Sequence, residues 1–190
     1  MNDPDPIREH RERAERGDAN AQFRLAGCYA VGKGVAQDFA EAAKWYREAA
    51  EQGLAEAQNN LGLLHLLGRG VPRDYTEAIK WFQQAAAQGQ PDAQCNLGGC
   101  FDEGCGVAQD LTEAVKWFRK AADQDQPDAY WNLGMCYERG DGVTKDLTEA
   151  MKWYRKTTEH PAASKTRAAD AGRALERLTK NEMFKRRRPS

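Results

Sequence analysis

Through the middle of the chain, apolar residues fall at helical spacing in pairs of short runs separated by polar, glycine-containing turns. Over AEAQNNLGLLHLL, Ala57, Leu61 and Leu64 stand at i, i+4 and i+7, which is one face of a helix. A second run carries Ala78, Trp81, Phe82, Ala85 and Ala86, a stripe wide enough to touch both its own partner helix and the next unit. Between the runs lies GRGV, where Gly68 suits the left-handed residue that ends a helix and Gly70 permits a sharp turn. Asp74 precedes the second run as an N-cap, with Glu77 three residues on as a capping-box partner. The same pair recurs as Asp38/Glu41, Asp110/Glu113 and Asp146/Glu149. The second run stops at Gly89, and Pro91 and Pro127 stand just inside the following helix starts, where a missing N–H costs nothing.

This pattern recurs every 36 residues. Trp45, Trp81, Trp117 and Trp153 keep that step, as do Leu25, Leu61, Leu97 and Leu133, and Gly34, Gly70, Gly106 and Gly142, each glycine followed by valine. Four copies at one period predict an all-α solenoid in which each unit, a helix A and an antiparallel helix B, stacks on its neighbours. The units run over 17–52, 53–88, 89–124 and 125–160. Single capping helices are expected at 1–16, with Ile7, His10 and Ala14 on one side, and at 161–182, with Ala168, Ala171, Leu175 and Leu178 at helical spacing. Ala26, Gly62, Gly98 and Gly134 share one position of helix A, where a larger side chain would hold helix B away. The repeated tryptophans read as inter-repeat core in preference to an aromatic ladder for bases or a cofactor. Asp125, at a glycine position, and Thr157-Thr158, at an Ala-Ala position, predict a loosened fourth unit.

The string AEAQNNLGLLHLLGRGVPRDYTEAIKWFQQAAAQG resembles the consensus of the Sel-one-like repeat, a relative of the tetratricopeptide repeat, and all four units match it. The resemblance implies a right-handed α-α superhelix whose A helices line a concave groove, and a role as adaptor or scaffold. By analogy with tetratricopeptide geometry, the groove positions are Phe23, Gly27, Ala30 and Val31; Asn59, Leu63, Leu66 and Leu67; Cys95, Gly99, Asp102 and Glu103; and Trp131, Met135, Glu138 and Arg139. The first two units are apolar there and the next two bring acid. The expected partner-binding residues are therefore Phe23, Val31, Asn59, Leu63, Leu66, Leu67, Trp131, Met135, Glu138 and Arg139, presented to a peptide or helix of another protein. The competing reading is that these side chains pack sideways on adjacent A helices.

Other chemistry changes this picture little. Some secreted members of the family bridge helix A to helix B through a cysteine where this chain has Ala49-Ala50 or Ala85-Ala86, so that framework does not carry over. Cys28, Cys95, Cys100, Cys105 and Cys136 are expected as free thiols, with Cys105 in its GCG turn the most exposed and reactive. No cysteine or histidine spacing suits zinc, His65 stands where the other units have Tyr29, Phe101 and Tyr137, and no nucleophile–base pair converges. Neither a cofactor nor a metal is expected, and a hydrolase or redox-thiol reading has no constellation behind it.

Net charge is −1, but Lys185, Arg186, Arg187 and Arg188 carry four positives near the end, leaving −5 for the rest. That tail is a candidate contact for nucleic acid, anionic lipid or an acidic partner, against a disordered terminus. A nucleic-acid-binding solenoid is disfavoured because the only basic groove position is Arg139. No apolar run approaches the roughly 20 residues that span a bilayer. The polar start, MNDPDPIREHRERAERGD, lacks the apolar segment of a secretory signal, so a cytoplasmic location is expected.

Overall fold

The computed structural model describes residues 6–186 in the backbone and 7–180 in the side chains, and every regular element among them is an α-helix. In chain order these are α1 (Pro6–Glu15), α2 (Ala19–Val31), α3 (Phe39–Glu51), α4 (Ala55–Leu67), α5 (Tyr75–Ala87), α6 (Pro91–Glu103), α7 (Leu111–Ala122), α8 (Pro127–Arg139), α9 (Leu147–Glu159) and α10 (Lys165–Arg186). The A helices are α2, α4, α6 and α8, and the B helices α3, α5, α7 and α9. Each packs on its neighbours in sequence, α1 caps α2, and α10 lies on α9 with a lesser contact to α8.

The local signals act as the residues suggest, with one correction. Gly68 ends α4 at φ 65°, its N–H bonded to the Leu64 carbonyl. The four aspartates cap the B helices by accepting from backbone N–H groups two or three residues on. The glutamates do not complete a capping box. The N–H of each aspartate donates instead to a carbonyl near the end of the preceding A helix, for example Asp74 to His65 at 3.0 Å. Freed from that role, each glutamate binds the lysine three residues on, as Glu113 does Lys116 at 2.7 Å. The turn is thereby tied to helix A, which fixes the angle of each hairpin.

Packing explains the small residues. A Cβ on Gly98 would come within 2.7 Å of the Phe118 ring, and one on Gly62 within 2.7 Å of Phe82. Helices A and B of one unit therefore touch through a ring lying on bare backbone. Gly70 serves a second purpose that periodicity alone does not reveal. Its φ of 71° allows the turn, and a Cβ there would lie 2.2 Å from the Phe39 backbone, so this turn rests directly on helix B of the previous unit. Trp81 is 7% exposed and lies among Ala42, Ala49 and Ala50 of α3 and Leu61 and Leu64 of α4, which makes it inter-repeat core. The buried indole N–H groups of Trp81, Trp117, Trp131 and Trp153 have no hydrogen-bond partner, so these rings contribute packing area and, at Trp117, Trp131 and Trp153, a face for Lys120, Arg167 and Lys156.

A buried polar ladder crosses the first three junctions. Gln22, Gln58 and Gln94 donate to the Ala14, Ala50 and Ala86 carbonyls, while Gln52, Gln88 and Gln124 donate to the oxygens of those same three glutamines at 2.7–2.8 Å. The fourth unit replaces this ladder. Tyr130 and His160 stand at the two glutamine positions, and both bind Asp125, the residue at the glycine position. The Ala162 N–H donates to His160 Nδ1 at 3.1 Å, which leaves Nε2 to donate to Asp125 at 3.0 Å. Asp125 holds φ 64°, a conformation costing a non-glycine residue about 1 kcal/mol or more. Thr157 is fully buried, its hydroxyl donating to the Trp153 carbonyl. Of the departures in this unit, Asp125 is thus bonded to Tyr130 and His160, while Thr157 and Thr158 bond within their own helix.

Candidate functional site

A cleft of about 640 Å³ opens along the A helices, lined by α4, α6 and α8 together with Arg167 of α10. It spans the second to fourth units and takes in Asn59, Leu63, Leu66 and Met135 of the expected binding residues. Leu63 and Leu66 of α4 and Met135 of α8 form its apolar walls, and Asn59 lies in its lining at only 4% exposure. Asn59 is therefore a floor residue, accepting from Asn96 Nδ2 at 2.8 Å, and not an exposed anchor.

The other expected binding residues lie outside this cleft. Val31 and Leu67 end α2 and α4 and are 70% and 53% exposed, an apolar edge apart from the cleft lining. Phe23 is half-buried against Tyr46, with ring centroids 5.7 Å apart. Trp131 packs on Tyr154 at 5.2 Å with Arg167 over its ring, and Glu138 accepts from Tyr154 Oη at 2.8 Å and pairs with Arg177 at 2.7 Å. These two side chains pack on their own unit's helix B and on α10, which covers that end of the stack. Arg139 is exposed beside Asp141 and borders a small side pocket with Met135.

Several lining residues were missed. Asn60, Asn96 and Asn132 keep the 36-residue step and face the cleft, one per A helix; that spacing was available in the sequence. Asn96 donates across to the preceding A helix at Asn59, and Asn132 donates to the Cys95 sulfur at 3.6 Å. Both side-chain oxygens are left without a donor among the described residues. Arg167, from the non-repeating end, pairs with Asp128 at 3.2 Å, and no periodicity announces it.

The charge of the cleft is acidic. Asp92, Asp102, Glu103 and Asp128 line it against the one cation, Arg167. Asp92 accepts from Gln90 and Gln126, and Asp128 from Arg167. The Asp102 carboxylate accepts no hydrogen bond among the described residues. Burial, then Asp141 and Glu103, push its carboxyl above the ordinary aspartate range, with Arg139 opposing. Between Leu63 and Met135, at the same position of the intervening helix, is Gly99. No heavy atom lies within 4 Å of where its Cβ would be, so packing does not demand this glycine, which costs a helix about 1 kcal/mol relative to alanine. Its effect is a notch in the cleft floor.

A match to the Sel1 repeat covers residues 19–54, 55–90, 91–126 and 127–160. The chain belongs to the Sel1-repeat family. Among solved structures it is similar to a protective antigen of uropathogenic Escherichia coli displaying an SLR fold, at 42% identity and a TM-score of 0.76, over 82% of this chain and 33% of that one. It is also similar to a Sel1 repeat protein from Oxalobacter formigenes, at 32% identity and a TM-score of 0.82, over 89% of this chain and 65% of that one. The chain thus spans about a third of the first protein's length and just under two thirds of the second's. The cysteine-rich protein B of Helicobacter pylori shares the fold at 21% identity and a TM-score of 0.53, over 67% of this chain and 95% of that one. A comparison with curated proteins finds no match. Sel1 repeats are generally non-catalytic and mediate protein interactions.

All five cysteines of this Sel1-repeat protein are free thiols. Cys95, Cys100 and Cys136 are buried, and burial pushes each up to about 12. Cys105, expected as the most exposed and reactive, is less buried than these three but is not activated. Like Cys28 it is half-buried, and burial together with the neighbouring Glu103 raises its pKa, which disfavours the thiolate. His65 is buried with neither ring nitrogen bonded, in keeping with the aromatic packing position it shares with Tyr29, Phe101 and Tyr137. Among the described residues no group of histidine, cysteine and acidic side chains could hold a metal ion, and no helix is long and apolar enough to cross a membrane. The basic tail, with Arg187, Arg188 and the side chains of Lys185 and Arg186, lies outside the described residues, although the α10 backbone continues to Arg186.

Proposed function

We propose that this protein is a non-enzymatic interaction scaffold that holds a segment of another protein in the cleft across α4, α6 and α8. The observation that carries the reading is the lining: apolar walls at Leu63, Leu66 and Met135, with an asparagine from each helix beside them. Apolar walls with a few fixed polar groups suit an extended peptide, whose alternate side chains seek pockets while its main chain seeks hydrogen-bond partners. The Asn96 and Asn132 oxygens are held by their own amide bonds and are open to backbone N–H groups. An acidic cleft repels a phosphate backbone, which places nucleic acid outside the reading. Free thiols suit a reducing compartment, so a cytoplasmic location is part of the proposal. Units 53–88, 89–124 and 125–160 would line the platform, with unit 17–52 continuing the stack beside it.

Burying a leucine-sized side chain contributes about 1.5–3 kcal/mol, so two or three anchors supply about 3–9 kcal/mol before ordering costs, and main-chain hydrogen bonds must add to them. In the full chain, Leu63→Glu should weaken peptides selected on the wild type at least tenfold, while circular dichroism is unchanged and melting moves by only a few degrees. Loss of helicity would make Leu63 a packing residue. Unchanged affinity would move the site elsewhere, with the Val31–Leu67 edge first in line.

A further inference from the structure

Three features of the cleft remain unused by the scaffold: a glycine that packing does not require, a carboxylate without a bonded partner, and an excess of negative charge. They fall together on α6. Gly99, Asp102 and Glu103 stand at i, i+3 and i+4 and all line the cleft, so the notch and the two carboxylates share one helix face a single turn apart, about 5.4 Å along the axis. Leu63 and Met135 occupy the position of Gly99 in the units on either side, so the notch has apolar flanks and an acidic far end.

We propose that the occupant of this cleft is a basic peptide segment, which lays one lysine or arginine side chain in the Gly99 notch. Its aliphatic stem lies between Leu63 and Met135, and its charged end reaches Asp102 and Glu103. The inference rests on the reading of the cleft as a peptide groove and adds the chemistry of the peptide. Lysine and arginine are the residues whose stems cover apolar surface while their heads seek water or a carboxylate. The length of one helical turn suits their reach, whereas leucine or methionine would leave the acidic end desolvated and unpaired. The carboxylates also stand in the last turn of α6, where the helix dipole adds partial negative charge and favours a cation. Elsewhere in the cleft Arg167 pairs with Asp128 and two glutamine amides donate to Asp92, whereas Asp102 accepts no hydrogen bond among the described residues and Glu103 accepts only from the Cys105 thiol. Burial, then the neighbouring Asp141 and Glu103, raise the Asp102 carboxyl above its ordinary range against the opposing Arg139, and an arriving cation would lower it.

The test uses a random library of short displayed peptides selected on the full chain, followed by labelled synthetic copies of the selected sequences. Affinities are measured for wild type, Gly99→Leu and the double variant Asp102→Asn/Glu103→Gln. The expected result is a shared lysine or arginine next to apolar residues. Its replacement by norleucine should weaken binding about tenfold on the wild type and less than about twofold on the double variant, as for a desolvated charge pair. Gly99→Leu should remove binding about tenfold or more without loss of helicity, since leucine favours a helix more than glycine does. Peptides that lose affinity on Gly99→Leu but carry no shared cation, or carry an acid, overturn the basic occupant and leave the groove reading standing. Peptides indifferent to Gly99→Leu and Leu63→Glu alike overturn both.

Discussion

Gly98→Ala should destabilise the protein by about 1–3 kcal/mol, while Gly99→Ala, one residue along, should stabilise it by about 0.5–1 kcal/mol. Both replace glycine by the best helix former in the interior of α6, so propensity alone predicts gain at both sites. Their surroundings separate them. The new methyl at 98 would lie 2.7 Å from the Phe118 ring, which is 2% exposed, and 3.2 Å from the Ala114 carbonyl oxygen. Neither neighbour is a free chain end, so α6 and α7 must part. At 99 the methyl meets nothing within 4 Å. Denaturant midpoints of the two variants measure the contrast directly. Equal and favourable shifts would mean that helices A and B lie farther apart than described.

Trp81→Ala should cost about 3–5 kcal/mol, a large part of the roughly 5–15 kcal/mol that holds a typical domain. The indole fills the junction between α3 and the second unit, and a solenoid depends on such junctions because each unit contacts only its neighbours. The loss should therefore appear as earlier exchange of amide hydrogens in the first two units, with the third and fourth less affected. Trp81→Phe should cost clearly less. The buried indole N–H has no partner, so phenyl keeps most of the packing while removing an unsatisfied donor. A phenylalanine variant as unstable as the alanine one would show that the N–H is bonded in solution.

What the sequence made readable and what it hid divide along a physical line. Interactions that repeat with the unit could be read: the Asp74 cap, the Gly68 helix end, the glycine beneath Phe118 and the junction role of Trp81 each recur, and recurrence identifies scaffold. The capping glutamates misled because an alternative acceptor, the His65 carbonyl for Asp74, comes from a neighbouring helix and leaves no local trace. The surroundings of Trp131 and Glu138 were hidden for a related reason. Exposure of Trp131 and Glu138 depends on α10, whose Arg167 and Arg177 cover them from outside the repeat. Asn60, Asn96 and Asn132 were within reach of the periodicity, but polar residues at a shared position read as solvated surface until the neighbouring helices bring them onto one cleft.

The central claim, that the cleft across α4, α6 and α8 is where a partner binds, is tested most directly by nuclear magnetic resonance of leucine, valine and methionine methyl groups. The full chain is titrated with a peptide selected on it. The account predicts that Leu63, Leu66 and Met135 methyls shift while those of Val31 and Leu67 stay in place. Shifts confined to Val31 and Leu67, with Leu63, Leu66 and Met135 unmoved, would contradict it.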